Sequence, residues 1–136
     1  MSDVSHKMKN KFDIISWNED PYLELPNGVK YSKASITKTY HGRLEGSAQL
    51  EYLMVYYGDG QATFVGIEYF DGTFDGKSGS IAFEHKGMFK DGMAESVFAT
   101  VVGSALSDLV GLNLEGHYKT GHSMTVEFEL NVLSEL

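Results

Sequence analysis

Apolar residues recur at every second position through most of this chain, and short turn signals interrupt the alternation at close intervals. A period of two sends successive side chains to opposite faces of an extended strand, so the pattern confines the chain to β-structure. The last segment is the clearest. Met124, Val126, Phe128, Leu130 and Val132 face one way, and Thr125, Glu127, Glu129 and Asn131 face the other. The same reading gives eight strands, at about 11–19, 29–41, 47–57, 61–74, 77–87, 94–102, 109–119 and 122–133. Asp20–Gly28 holds both prolines and Asn27-Gly28, and reads as a loop. Ser104 is placed to cap one brief helical turn over Ser104–Leu109. With 136 residues and no repeat or linker, the chain is expected to form a single domain over residues 1–136. Short antiparallel strands with one apolar face fit a closed barrel of about eight strands, since closure removes exposed edges. A β-sandwich is the second choice.

The turns fix which side chains meet. Asp75-Gly76 suits a two-residue type I′ turn, which pairs Phe74 with Lys77. Counting outward, Phe70 opposes Ile81, Glu68 opposes Phe83, and Gly66 opposes His85. A three-residue Gly58-Asp59-Gly60 loop pairs Tyr57 with Gln61, which sets Met54 against Phe64, Tyr52 against Gly66 and Leu50 against Glu68. A two-residue loop would instead bring Glu51 opposite Glu68, two like charges across a ladder, and is disfavoured. Asp71-Gly72 is read as a bulge, because a turn there would cut the fourth strand short. Both hairpins then share one face, on which Glu68 and His85 are diagonal neighbours among apolar residues. Gly66 is expected to leave space between Tyr52 and His85. The opposite face carries Leu53, Val55, Val65, Ile67 and Tyr69, and its cover is expected to be another subunit of a homo-oligomer, dimer or trimer.

Eleven Lys and Arg against 19 Asp and Glu give a net charge of −8, which argues against a nucleic-acid partner and against an anionic membrane surface. The absence of Cys removes disulfides, thiolate metal sites and cysteine nucleophiles. The lysines of Met1–Lys11 precede no apolar run of signal-peptide length, and a cytoplasmic protein is expected. No metal or other cofactor is expected, since His85, His117, His122 and Glu68 follow no ligand spacing. Ser80 and Ser104 lack a nucleophile elbow, and Gly72–Gly79 lacks a phosphate-loop pattern.

Several phrases together resemble a bacterial family of small domains of unknown function with a barrel like that of allene oxide cyclase. They are Ser16-Trp17-Asn18-Glu19, Tyr40–Ser47 with Glu51-Tyr52-Leu53-Met54, Val65-Gly66-Ile67-Glu68, Gly72–Ser80, His85-Lys86-Gly87 and Gly111–Gly116. The chain departs from that pattern at Leu114 and over Gly103–Leu109. The resemblance implies an allene-oxide-cyclase-like barrel with an interior cavity, and it carries no reaction with it.

Glu68 and His85 are the leading candidates, as a polar anchor or acid–base pair in an apolar cavity, against a buried pair that merely satisfies itself. Tyr52 and Gly66 lie beside them. Trp17 and Glu19 share one side of the first strand, where Trp17 serves either as a core anchor or at the cavity mouth. Glu115 remains open. A Thr120-Gly121 turn places it inward opposite Val126, while a Lys119–Gly121 turn puts Leu114 there and sends Glu115 outward. The chain is therefore expected to bind a small, largely apolar ligand inside the barrel. The alternative is an isomerase or cyclase using the interior Glu/His pair.

Overall fold

A computed structural model of the protein describes residues 10–121 and 123–134. Its strands are β1 (Lys11–Glu24), β2 (Lys30–His41), β3 (Leu44–Tyr57), β4 (Gln61–Phe74), β5 (Lys77–Lys90), β6 (Met93–Thr100), β7 (Leu106–Ser107), β8 (Asn113–Thr120), β9 (Thr125–Glu127) and β10 (Glu129–Ser134). They form one antiparallel sheet in the order β10-β8-β6-β5-β4-β3-β2-β1-β9, with β7 pairing only with β5. β9 and β10 are one segment interrupted at Phe128, whose amide donates to the Asn10 carbonyl at 2.9 Å. Its first half pairs with β1 and its second with β8, so a single segment holds both ends of the curled sheet. The barrel is nearly closed. β9 covers only Lys11–Asp13 of β1, and one seam beyond that point stays unsealed.

Both hairpin registers agree with the counting from the turns. Phe74 pairs with Lys77, Gly66 with His85, Tyr57 with Gln61 and Tyr52 with Gly66. Asp75 and Gly76 take φ of 50° and 85°, the left-handed pair that a type I′ turn requires. Asp71-Gly72 is not a bulge, because β4 pairs without interruption to both neighbours. Asp91-Gly92, with φ of 54° and 77°, is a second turn of the Asp75-Gly76 kind and carries β5 on to Lys90. Pro21 lies within β1 and not in a loop, paired with Ser32 at the register shift before Leu23, and proline is tolerated in a strand at a bulge. No helix forms over Ser104–Leu109. Ser104 instead accepts a hydrogen bond from the Ala82 amide at 3.0 Å, and β7 lies against Gly79 and Ser80.

A register shift between Ile14 and Ser16 matters more for the site. Ile14 pairs with Lys38, Ser16 with Thr37 and Trp17 with Ile36, so Ile15 is an extra residue turned out to solvent. One inserted residue reverses the facing of everything after it, and Trp17 and Glu19 thereby join the inward row.

The interior divides along the barrel axis. Phe12, Tyr40, Leu44, Phe70, Phe74, Phe83 and Phe98 belong to one packed cluster, which Leu109, Leu112 and Phe128 help complete. A smaller cluster of Ala34, Ile36, Leu50, Tyr52, Met54 and Phe64 lines the other end. The functional groups lie where the two meet.

Candidate functional site

Glu68 is the centre of a fully buried polar cluster. Its Oε2 accepts a hydrogen bond from the Tyr40 hydroxyl at 2.7 Å, and Lys38 Nζ lies 3.2 Å from the same oxygen. Its Oε1 is bonded to His85 Nε2. The Glu68 and Lys38 side chains are 0% and 2% exposed. Lys38 stands on β2 between Ile36 and Tyr40 in the inward row, its ammonium 3.9 Å from the centre of the Phe12 ring. That ring, the Tyr40 ring at 5.0 Å and the ion pair surround it, and Lys38 Nζ has no well-directed hydrogen bond.

The protonation states follow from these contacts. Burial pushes the Glu68 carboxyl up, but the Lys38 charge and the His85 and Tyr40 hydrogen bonds outweigh it and hold the group down at about 2. Burial pulls His85 below the ordinary imidazole range against the opposing pull of Glu68. It likewise draws Lys38 down, with Glu68 opposing. The cluster is thus a carboxylate, an ammonium and a neutral imidazole. An ionised carboxylate only accepts, so His85 carries its proton on Nε2, and its buried Nδ1 is left as a lone pair without a partner. The ring is held by stacking on Phe98 at 5.0 Å and by the edge of Tyr52 at 6.0 Å.

Above this cluster the barrel is hollow. A cavity of about 400 Å³ is lined by Phe12, Ile36, Lys38, Leu50, Tyr52 and Phe64 among others. Tyr118 also lines it, and its hydroxyl lies 3.2 Å from that of Tyr52. The mouth lies at the end where β3–β4 and β5–β6 turn, beside Ala62, Phe89, Ala94 and Gly121. Trp17 is at this mouth and not in the core. It is 43% exposed, its indole N–H donates to Glu19 at 3.0 Å, and its ring lies 6.1 Å from that of Tyr52. Tyr56, also lining the mouth, donates to the other Glu19 oxygen at 2.5 Å. Gly66 does not open a gap beside His85. A Cβ there would stand 2.5 Å from a Tyr52 ring carbon, so the ring itself lies across the glycine. The hollow is on the far side of Tyr52. Glu68 and His85 lie beneath the floor, and Lys38 is the member of their cluster that reaches the cavity wall.

The sequence profile of a family described as "Protein of unknown function (DUF3224)" matches residues 8–131. The chain belongs to this family. A crystal structure of a DUF3224 protein of unknown function from Shewanella oneidensis MR-1 is similar to it, with a TM-score of 0.68 and 23% identity over 94% of this chain and 100% of that one. At that identity the likeness speaks for the fold alone. No curated protein matches the sequence.

Elsewhere on this DUF3224 barrel, Glu115 faces outward, and neither turn considered for it forms. It pairs with Asn131, while Leu114 meets Val132, because the β8–β9 connection is longer than two or three residues. Its side chain borders an open groove of about 940 Å³ on the outer face of the sheet, together with Lys33, Glu51, Leu53, Val65 and Val97. That hollow is larger than the interior one, but apart from the buried His85 its polar lining residues are exposed, whereas the interior cavity stands over the buried charges. Leu53, Val65, Ile67 and Tyr69 are exposed on this outer face, and Val55 is half-buried. Among the described residues no three His, Cys, Asp or Glu side chains come together as metal ligands, and no helix is long and apolar enough to cross a membrane. His122 lies outside the described residues.

Proposed function

We propose that this protein binds a small, largely apolar molecule at the open end of its barrel. The observation that carries the reading is the cavity of about 400 Å³, walled by aromatic and aliphatic side chains, with the buried Lys38 among its lining residues. Small-molecule sites have this composition, and they fall in the range of about 300–1,000 Å³. Trp17 is the single tryptophan of the chain and stands at the mouth, so its emission reports occupancy without a label. Freshly purified protein is expected to carry a co-purifying small molecule in native mass spectra. Ala94→Phe, which adds a ring at the mouth, is expected to abolish that adduct and any ligand-dependent change in Trp17 emission. A variant that binds as the wild type does would sink the reading.

The cluster favours holding over proton transfer. A general base works best with a pKa near the working pH, and Glu68 is held down at about 2 by partners that occupy both its oxygens. Of the Glu68/His85 pair, this leaves the isomerase or cyclase alternative only His85 Nδ1 as a base, a buried lone pair that does not border the cavity.

The outer face supports a second reading, assembly with a second copy of the chain. Its exposed Leu53, Val65, Ile67 and Val97 are flanked by Lys33 and Lys86 and by Glu51, Glu84 and Glu115, so a two-fold can set unlike charges against each other. Light scattering at micromolar concentration is expected to give at least twice the mass of 15.1 kDa, and Ile67→Lys to return it to that value. A wild-type monomer would refute the assembly.

A further inference from the structure

The outer face of the sheet carries its charges in order. The strand registers set Lys33, Leu53, Val65, Lys86, Val97 and His117 side by side in one row from β2 to β8. Two residues along each strand, a second row runs through Glu51, Ile67, Glu84, Ala99 and Glu115. The first row is basic or apolar throughout, and the second is acidic or apolar. The pattern ends at β10, where Glu129 follows His117. Between the rows lie Gly66, His85, Phe98 and Gly116, whose side of the pleat faces inward. The groove of about 940 Å³ therefore runs across the strands, with one basic wall and one acidic wall.

These charges are only partly answered within one chain. Lys33 reaches Glu51 at 4.0 Å, and His117 reaches Glu95 at 3.4 Å. Among the described residues Glu84, Lys86 and Glu115 enter no ion pair, although all three border the groove.

A second copy fits such a surface, and the pattern also orients it. A two-fold that sets a face against its own copy lies in the plane of contact. Running along the strands, it would lay the basic row on the basic row and the acidic row on the acidic row. Running across the strands, within the groove, it exchanges the rows. Val65 then meets Ile67 of the second copy, Lys86 meets Glu84, Val97 meets Ala99 and His117 meets Glu115. Of the apolar residues only Leu53 meets a charge, Glu51, which keeps its own Lys33 beside it. The facing strands are aligned, one of the two ways in which sheets pack on each other.

We propose that two copies join through this groove about a two-fold that crosses the strands, with the basic row of each on the acidic row of the other. This rests on the assembly reading above and names the register of that same surface.

A charge exchange on β5, the middle strand of the groove, tests it. Lys86→Glu and Glu84→Lys both change exposed side chains, so each variant is expected to fold as the wild type does. Each alone brings like charges together twice in the assembly. Sedimentation equilibrium at low salt, where exposed charges are least screened, is expected to give each a Kd at least about tenfold above that of the wild type. Mixed in equal amounts, the two variants are expected to form a heterodimer at least as tight as the wild-type dimer, because every contact between positions 84 and 86 then joins unlike charges. A chain carrying both substitutions is expected to pair with itself as the wild type does. Variants that self-associate as tightly as the wild type, or that fail to rescue each other, overturn this register and leave the assembly standing. A wild-type trimer, which has no two-fold contact, does the same. A wild-type monomer overturns the assembly and the register together.

Discussion

Lys38→Met is expected to destabilise the protein by about 3–5 kcal/mol, measured by urea unfolding at neutral pH, because it leaves the Glu68 carboxylate buried without its counter-charge. Glu68→Gln is expected to fall in the same range. It keeps an acceptor for His85 and a partner for Tyr40, but it strands the ammonium of Lys38. The double variant is the informative one. With both charges gone, the introduced amide still has the Tyr40 hydroxyl and His85 to bond, and the introduced thioether side chain fills much of the volume of the lysine stem. The pair is therefore expected to be more stable than either single variant, with a coupling of several kcal/mol. If the two single costs simply add, the charges do not depend on each other and the cluster has been misread.

Such a pair is weak evidence for stability, since apolar replacements of buried ion pairs are often neutral or better. Lys38 and Glu68 stand on strands separated by β3, and with Tyr40 and His85 they tie β2, β4 and β5 together across the interior. The polar cluster forms at the boundary between the packed half of the barrel and the hollow half, where Phe12 and Tyr118 serve as wall for one and core for the other.

The Glu68–His85 contact was legible in the sequence because two tight turns set the register of three consecutive strands, and a register error of one residue would have turned both groups outward. Lys38 was missed although the signal was present. In Ser32, Ala34, Ile36, Lys38 and Tyr40 every second residue turns inward, and the lysine shares the parity of Ile36 and Tyr40. Lysine on an apolar face is rare enough that composition argued the other way. The inward turn of Trp17 depends on the extra residue at Ile15, which no local pattern marks. The pairing of β8 escaped because the β8–β9 connection is not a two- or three-residue turn, and longer connections leave register unspecified. A barrel was expected, but how it closes was hidden, since one segment changes partners at Phe128.

Acid is expected to weaken the fold in two stages. His85 is held below its ordinary value of 6.5, chiefly by burial, so the folded protein keeps it neutral while the unfolded chain protonates it. Below about pH 6.5 the unfolded state thus binds more protons, and stability falls as the pH drops. Glu68 enters lower. Burial raises its carboxyl, but Lys38, His85 and Tyr40 more than offset this and lower it from 4.5 to about 2. A depressed carboxylate stabilises above its unfolded value, so this contribution is complete above pH 4.5 and is lost as the pH falls toward 2. The difference of 2.5 pH units corresponds to about 3 kcal/mol. Asp13, held down first by its Thr125 hydrogen bond, and Glu19, whose bonds from Tyr56 and Trp17 overcome its burial, act in the same lower window. Urea unfolding from pH 8 to pH 3 separates the stages. The wild type is expected to lose stability gradually from pH 7 to 5 and steeply below 4.5. His85→Gln, less stable throughout, is expected to be level between pH 7 and 5 and to keep the lower fall, because Gln does not titrate. Equal slopes for the two proteins between pH 7 and 5 would mean that His85 takes up its proton over the same range folded and unfolded. Its Nδ1 would then be protonated at pH 5 with no acceptor, and the neutral imidazole assigned beside the Glu68–Lys38 pair would fail.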